Sequence, residues 1–222
     1  MPNLNLLTET KHVVLLGDSI LDNAAYVAES LAVIDHLAQA MPDSWQATLL
    51  AADGATTSDV AQQTNRLPTK ATHLVVSTGG NDALYQLGIV SEPAASISEA
   101  LFRFSEIRED FRRVYRQMLD HVLRLELPVA VCTVYNSIPN LGPVAMTALA
   151  MFNEVILEEA FRAQVQVIDL RLICDEPADY STMSPIEPSS AGGKKIAGAI
   201  VSILSSREFA SGHSIVISRS GF

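Results

Sequence analysis

Five short runs of aliphatic and β-branched residues punctuate the chain, at positions 13–16, 47–51, 74–77, 129–134 and 165–170. Each is of strand length, and most are nearly continuous in apolar residues rather than alternating. That pattern marks strands covered on both faces. Helix-like stretches fill the gaps, at 23–40, 58–67, 98–126, 144–162 and 190–206. In the longest, Phe104, Ile107, Phe111, Val114, Met118, Val122 and Leu125 recur at spacings of three or four. Ser96 and Glu99 fit a capping box ahead of it, and Pro128 ends it. Strand–helix alternation with right-handed crossovers predicts a three-layer α/β/α sandwich around a mainly parallel sheet. A length of 222 residues suits one generous core, so residues 1–222 read as a single domain. The tail, about 208–222, holds a further strand-like run at 214–218 that could extend this sheet or pair with another chain. Ligands of such sheets bind beyond the carboxyl ends of the strands, at the switch point of strand order.

The charge balance narrows the partners. Fifteen Lys+Arg against 25 Asp+Glu give a formal charge of −10, a field that repels a phosphate backbone. The one arginine-rich stretch, from Arg103 to Arg116, is interleaved with Glu106, Glu109 and Asp110 and reads as a solvated helix face. Nucleic acid is not an expected partner. No apolar run approaches the roughly 18 residues of a membrane span, and the first residues lack the basic and apolar regions of a secretory signal. The expected location is cytoplasmic. Cys132 and Cys174 sit in or beside apolar runs and read as buried free thiols.

Four unusual sequences lie at or beyond the strand ends. They are Gly17-Asp18-Ser19-Ile20, Asp53-Gly54-Ala55-Thr56, Gly79-Gly80-Asn81-Asp82 and, late in the chain, Ser184-Pro185-Ile186-Glu187-Pro188-Ser189. With these blocks in this order the chain resembles the SGNH (GDSL-type) hydrolases, esterases and lipases on a flavodoxin-like sheet, over nearly its whole length. The resemblance implies a five-stranded order 2-1-3-4-5. It also implies Ser19 as nucleophile, and an oxyanion hole from the Ser19 N–H, the Gly54 N–H and the Asn81 side chain. A small-molecule ester, with a small acyl group, is the implied substrate, and no cofactor or metal is implied.

The chemistry is coherent without the family. Ester cleavage through an acyl-enzyme needs a nucleophilic hydroxyl and preorganised donors for a developing oxyanion. A serine in a tight turn at a helix N-terminus offers its Oγ and its own N–H, glycine lets a backbone N–H approach closely, and an amide donates without carrying charge. Singly, each residue has an ordinary explanation: Ser19 as a helix N-cap, Gly54 as a turn glycine, Asn81-Asp82 as another cap. Jointly, in sequence after successive strands, they point to a site. Asp18 and Asp82 read as hydrogen-bonding scaffolds for the two turns.

The last block departs from the family, which usually carries Asp-x-x-His there. Here Glu187 stands at the histidine position and Ser184 at the aspartate position. His12 and His73 precede strands, His36 and His121 lie within helices, and His213 lies in the tail. Glu187 is therefore the candidate base, with its pKa raised by burial from about 4.3 toward 6–7. Ser184 would be a neutral hydrogen-bonding substitute that avoids like-charge repulsion. The alternative is a non-catalytic protein that binds an ester, acyl group or sugar. A metal-dependent phosphoesterase using Asp18, Asp22, Asn81 and Asp82 is disfavoured, since no Asp-x-His and no histidine pair accompanies them. A nucleotide or flavin site is disfavoured by two acids in the first turn. Tyr135 and Asn136, after the fourth strand, are expected at the pocket rim as substrate-binding residues. No long apolar insertion reads as a lid, which favours small or soluble esters.

Overall fold

The structure, a computed structural model, describes residues 10–206, 209 and 214–218. The expected strands form as β1 (His12–Gly17), β2 (Gln46–Leu49), β3 (His73–Ser77), β4 (Val129–Cys132) and β5 (Gln166–Ile168). The tail contributes β6 (Val216–Ile217), which pairs parallel with β5 at the edge. The sheet is thus six-stranded rather than five-stranded, all parallel, in the order β2-β1-β3-β4-β5-β6. The expected order survives with one strand added.

Helices α1 (Val33–Ala40) and α6 (Ser190–Ser205) pack against each other on one face. On the other lie α2 (Val60–Gln63), α3 (Gly80–Tyr85), α4 (Ile97–Leu123) and α5 (Pro143–Arg162). Between these layers β1, β3 and β4 are buried almost throughout, as their unbroken apolar runs require. Cys132 and Cys174 are buried free thiols within this core. No helix among the described residues is long and apolar enough to cross a membrane.

Three local expectations are corrected. Residues 23–40 are not one helix: a 3₁₀ turn at Ala24–Tyr26 and the eight-residue α1 are separated by Ala28 at φ +49°. The capping box of α4 is displaced by one residue. Ser96 Oγ accepts from the Glu99 N–H at 3.1 Å, but the Glu99 carboxylate accepts from the Ala95 N–H at 2.8 Å. The arginine-rich face is a clamp as well as a solvated surface. Arg108 and Arg112 reach Glu154 and Glu158 on α5, and Arg116 forms a two-pronged pair at 2.7 and 2.8 Å with the buried Glu159.

Two buried amides finish the strand ends that face the site. The Gly17 N–H donates to Gln63 Oε1 at 2.7 Å, and Gln63 Nε2 donates back to the Gly17 carbonyl at 2.8 Å. Asn153 does the same for Val134, at 2.8 Å each way. Buried backbone groups left without a strand partner must be paired, and here side chains do it. The carboxyl ends of β1 and β4 are therefore held rigid where the chain turns away from the sheet.

Candidate active site

The turn carrying Ser19 starts from a close approach of two strands. Gly17 has φ +117°, and a Cβ there would lie 1.7 Å from the Ser77 carbonyl oxygen, so only glycine fits. The Asp18 N–H donates to that same carbonyl at 3.0 Å, and the Leu21 and Asp22 N–H groups both donate to the Asp18 carbonyl at 3.1 Å. The Asp18 carboxylate accepts from the Ile20 N–H at 3.1 Å. Ser19 projects from this turn, which is not the start of a helix, and is 6% exposed.

Ser19 Oγ donates to Glu187 Oε1 at 3.0 Å, across 168 positions of sequence. Glu187 is 5% exposed, and its second oxygen, Oε2, is buried without a hydrogen-bond partner. Burial pushes Glu187 up to about 7, against the lowering effect of the Ser19 hydrogen bond, with the Asp53 charge adding to the rise. Its neighbour Asp18 is pushed up to about 8, chiefly by burial, with the charges of Glu187 and Asp82 assisting and the Ile20 N–H opposing. Ser184 supplies its carbonyl, which accepts from the Glu187 N–H at 3.0 Å to close a turn. Its hydroxyl does not partner Glu187, contrary to the expectation from position alone, because Oε2 is unpaired and Oε1 is taken by Ser19.

The loop bearing Glu187 is fastened on every side. The Ser181 N–H donates to the Glu187 carbonyl and the Ser189 N–H to the Asp179 carbonyl, both at 2.8 Å. Tyr135 Oη donates to the Ile186 carbonyl at 2.6 Å, and Asn23 Nδ2 to the Pro188 carbonyl at 3.0 Å. Asn23 also accepts from the Val33 N–H at 2.9 Å, tying this loop to the first turn of α1. Tyr135 is thus a buried support that stacks edge-on against Tyr180 at 5.1 Å. Asn136 is half-buried and is not among the residues lining the cleft described below.

The donor side is equally ordered. Gly54, at φ +78°, occupies a turn closed by the Ala55 N–H onto the Ala52 carbonyl at 3.1 Å. That turn is tied on one side by the Asp53 N–H to Asp22 Oδ2 at 3.1 Å, and on the other by Asn81 Nδ2 to the Ala55 carbonyl at 2.9 Å. An amide nitrogen carries two hydrogens, so Asn81 keeps one for a ligand. Asp82 accepts from the Thr57 N–H and hydroxyl at 3.0 and 2.9 Å, joining the loop after β2 to α3.

One cleft brings Asp18, Ser19, Asn81, Tyr135 and Glu187 together; Gly54, Asn136 and Ser184 lie outside its lining. Among the described residues no histidine lines it. His12 and His73 open β1 and β3, at the far end of the sheet. His36 and His121 bond Ser190 and Thr64 at 2.8 and 2.9 Å, and His213 lies outside the described residues. Among the described residues no group of three or more His, Cys, Asp or Glu side chains is placed to hold a metal ion. Sequence reasoning missed Asn23, Gln63 and Asn153, lone buried amides whose only signal would have been their place beside strand ends.

Comparison with known structures shows the same fold. A lipase from a goat rumen metagenome superposes with a TM-score of 0.67 at 20% identity, covering 85% of this chain and 95% of that one. A phospholipase A1 from Streptomyces albidoflavus NA297 gives 0.63 at 18% identity, covering 88% and 98%. An acetylxylan esterase from Geobacillus stearothermophilus gives 0.65 at 15% identity, covering 94% and 97%. No curated protein sequence matches the chain. The family model for the GDSL-like lipase/acylhydrolase family matches residues 15–195, a span that starts within β1 and ends in α6. On that match the chain belongs to the GDSL-like lipase/acylhydrolase family, a family of ester hydrolases.

Proposed function

We propose that the protein hydrolyses small-molecule carboxylic esters through an acyl-enzyme on Ser19, with Glu187 as general base in place of a histidine. The observation that carries this reading is the 3.0 Å hydrogen bond from Ser19 Oγ to a buried Glu187 poised at about 7. Ser19 Oγ attacks the ester carbonyl as its proton passes to Glu187 Oε1. The tetrahedral oxyanion is held by the Ser19 N–H and the second Asn81 hydrogen, each such donor contributing about 3–4 kcal/mol, with the Gly54 N–H, on the exposed turn that Asn81 ties down beside the cleft, as a third donor. Collapse expels the alkoxide, which takes the proton from Glu187. Water, deprotonated by Glu187, then attacks the acyl-serine; collapse breaks the bond to Ser19 Oγ, which takes the proton back from Glu187, and the carboxylic acid leaves.

A carboxylate needs no partner to fix a tautomer, which accounts for a base with one oxygen on Ser19 and the other unpaired. A dry environment makes the carboxylate basic enough to accept a proton near neutral pH.

The test is intact-mass analysis after treatment with a fluorophosphonate. One adduct on the wild type, and none on Ser19→Ala, is expected. Folded wild-type protein that gains no adduct at saturating probe would overturn the reading in favour of a binding protein.

A further inference from the structure

The 3₁₀ turn at Ala24–Tyr26 is bonded to both halves of the site. On one side Tyr26 Oη donates to Asp53 Oδ2 at 2.7 Å, across 27 positions of sequence. Asp53 immediately precedes Gly54, and its own N–H donates to Asp22 Oδ2 at 3.1 Å. On the other side the Tyr26 carbonyl accepts from Ser181 Oγ at 2.6 Å. Ser181 is buried, and its N–H donates to the Glu187 carbonyl at 2.8 Å. One tyrosine thus spans from the loop of the base to the turn of an oxyanion donor.

The turn of the donor is the half that needs such a hold. Glu187 is buried, whereas Asp53 and Gly54 are both exposed. Around Gly54 there is open space: a Cβ added there would meet no atom within 4 Å. With φ +78° and no side chain to pack, its orientation rests on hydrogen bonds to its neighbours. Asp22 holds the backbone at Asp53, and Asn81 holds it at Ala55. Tyr26, half-buried, takes hold of the Asp53 side chain. A hydrogen bond to a carboxylate is charge-assisted and roughly twice as strong as one between neutral groups.

Resting on the ester-hydrolase reading above, we infer that Tyr26 is a positioning residue: through Asp53 it holds the turn of Gly54 against the framework that carries Ser19 and Glu187. It touches no reacting atom. An oxyanion donor works only when it is already in place, so a turn free to tilt weakens the transition state and leaves ester binding as it was. Fixing Asp53 also fixes a charge. Burial is the main cause of the rise of Glu187 to about 7, the Ser19 hydrogen bond opposes it, and the Asp53 charge adds to it. The other titratable groups that the Glu187 charge reaches are Asp18, Tyr26 and Tyr135. Among the described residues no Lys, Arg or His lines the cleft. Tyr26 is pushed up to about 12, first by its hydrogen bond to Asp53, and so remains a donor at neutral pH.

The experiment compares Tyr26→Phe, Asp53→Ala and Asp53→Asn with the wild type on p-nitrophenyl acetate. Tyr26→Phe and Asp53→Ala are each expected to lower kcat about tenfold with KM little changed, short of the roughly 10²- to 10³-fold cost of deleting a donor outright. Both cut one tie, so the double variant should be no slower than the slower single. Asp53→Asn keeps an acceptor for the phenol and should recover most of the kcat that Asp53→Ala loses. It removes the charge, so Glu187 gives up its proton more readily and the rise of kcat/KM should move to lower pH. Added salt should narrow that gap by screening the wild-type charge. The melting temperature of Tyr26→Phe should match that of the wild type, because the lost bond is exposed. An unchanged kcat in Tyr26→Phe, or losses that multiply in the double variant, overturns the inference and leaves the hydrolase reading intact. Wild-type protein that neither cleaves the ester nor takes the fluorophosphonate overturns both.

Discussion

The loop that carries Glu187 and the segments that wall the cleft are built on opposite plans. Around Glu187 the backbone is tied by the side chains of Tyr135 and Asn23 and by backbone bonds to Ser181 and Ser184, all within 3.0 Å. Over residues 80–110 not one side chain is buried. The difference follows from what each must do. Proton transfer tolerates little displacement, and a Glu187 acting as base would be held for it by these directional bonds. The cleft walls instead present apolar side chains, whose contacts are non-directional and scale with area.

Removing the directional side should have the largest effect. Glu187→Gln is expected to keep the fold and to lower kcat about 10²- to 10⁴-fold, because an amide cannot accept the serine proton. If Glu187 is the base, its ionised form is the active one, and kcat/KM should climb as pH rises through about 7. A profile already flat at pH 5, or equal rates in wild type and Glu187→Gln, would show that Glu187 is not the base.

Loosening the base without removing it comes next. Tyr135→Phe leaves the Ile186 carbonyl, and Asn23→Ala the Pro188 carbonyl, without a donor, each buried group left unpaired costing about 1–3 kcal/mol. Denaturant unfolding should show that loss, and kcat should fall while the KM for short esters changes little. An unchanged kcat in both variants would mean that the ties around Glu187 serve stability alone.

The effect of Asp18 is on stability alone. Its folded pKa, about 8, lies above the unfolded carboxyl value near 3.9, so the folded state holds a proton that the unfolded chain gives up. Its contribution to stability is fully present below about pH 4 and is lost as pH rises toward 8. Asp18→Asn keeps an acceptor for the Ile20 N–H and removes the titration. Its melting temperature should gain on the wild type between pH 5 and pH 8. A constant difference across that range would show that Asp18 does not titrate there.

Much of this was legible before the structure. The strands could be read because burial on both faces demands unbroken apolar runs, and β1, β3 and β4 obey. That Ser19, Asn81 and Glu187 would meet in one cleft was legible because the blocks that carry them lie beyond strand ends, where such folds bind ligands. The segment 23–40 misled because its alanine and leucine content is helical, whereas Asn23 is claimed by a carbonyl 165 residues away. A bond of that span leaves no local trace. The apolar wall of the cleft was illegible for a related reason: an apolar side chain that lines a cleft has the same chemistry as one that faces the core. Phe104 and Phe111 belong to one helical stripe, but only the second is buried.

That stripe has a mechanical consequence. Helix α4 runs 27 residues without interruption, about 40 Å at the usual rise. Its far half is wedged into the core by Phe111, Tyr115, Met118, Leu119 and Val122, and its near half overhangs the cleft. A hydrogen-bonded rod gripped at one end acts as a cantilever. Arg108, Arg112 and Arg116, strapped to α5, set the point from which it can flex. The width available to a guest beside Ser19 is then governed by stiffness at a fulcrum several turns away, and a substitution in those straps would alter selectivity without touching the guest.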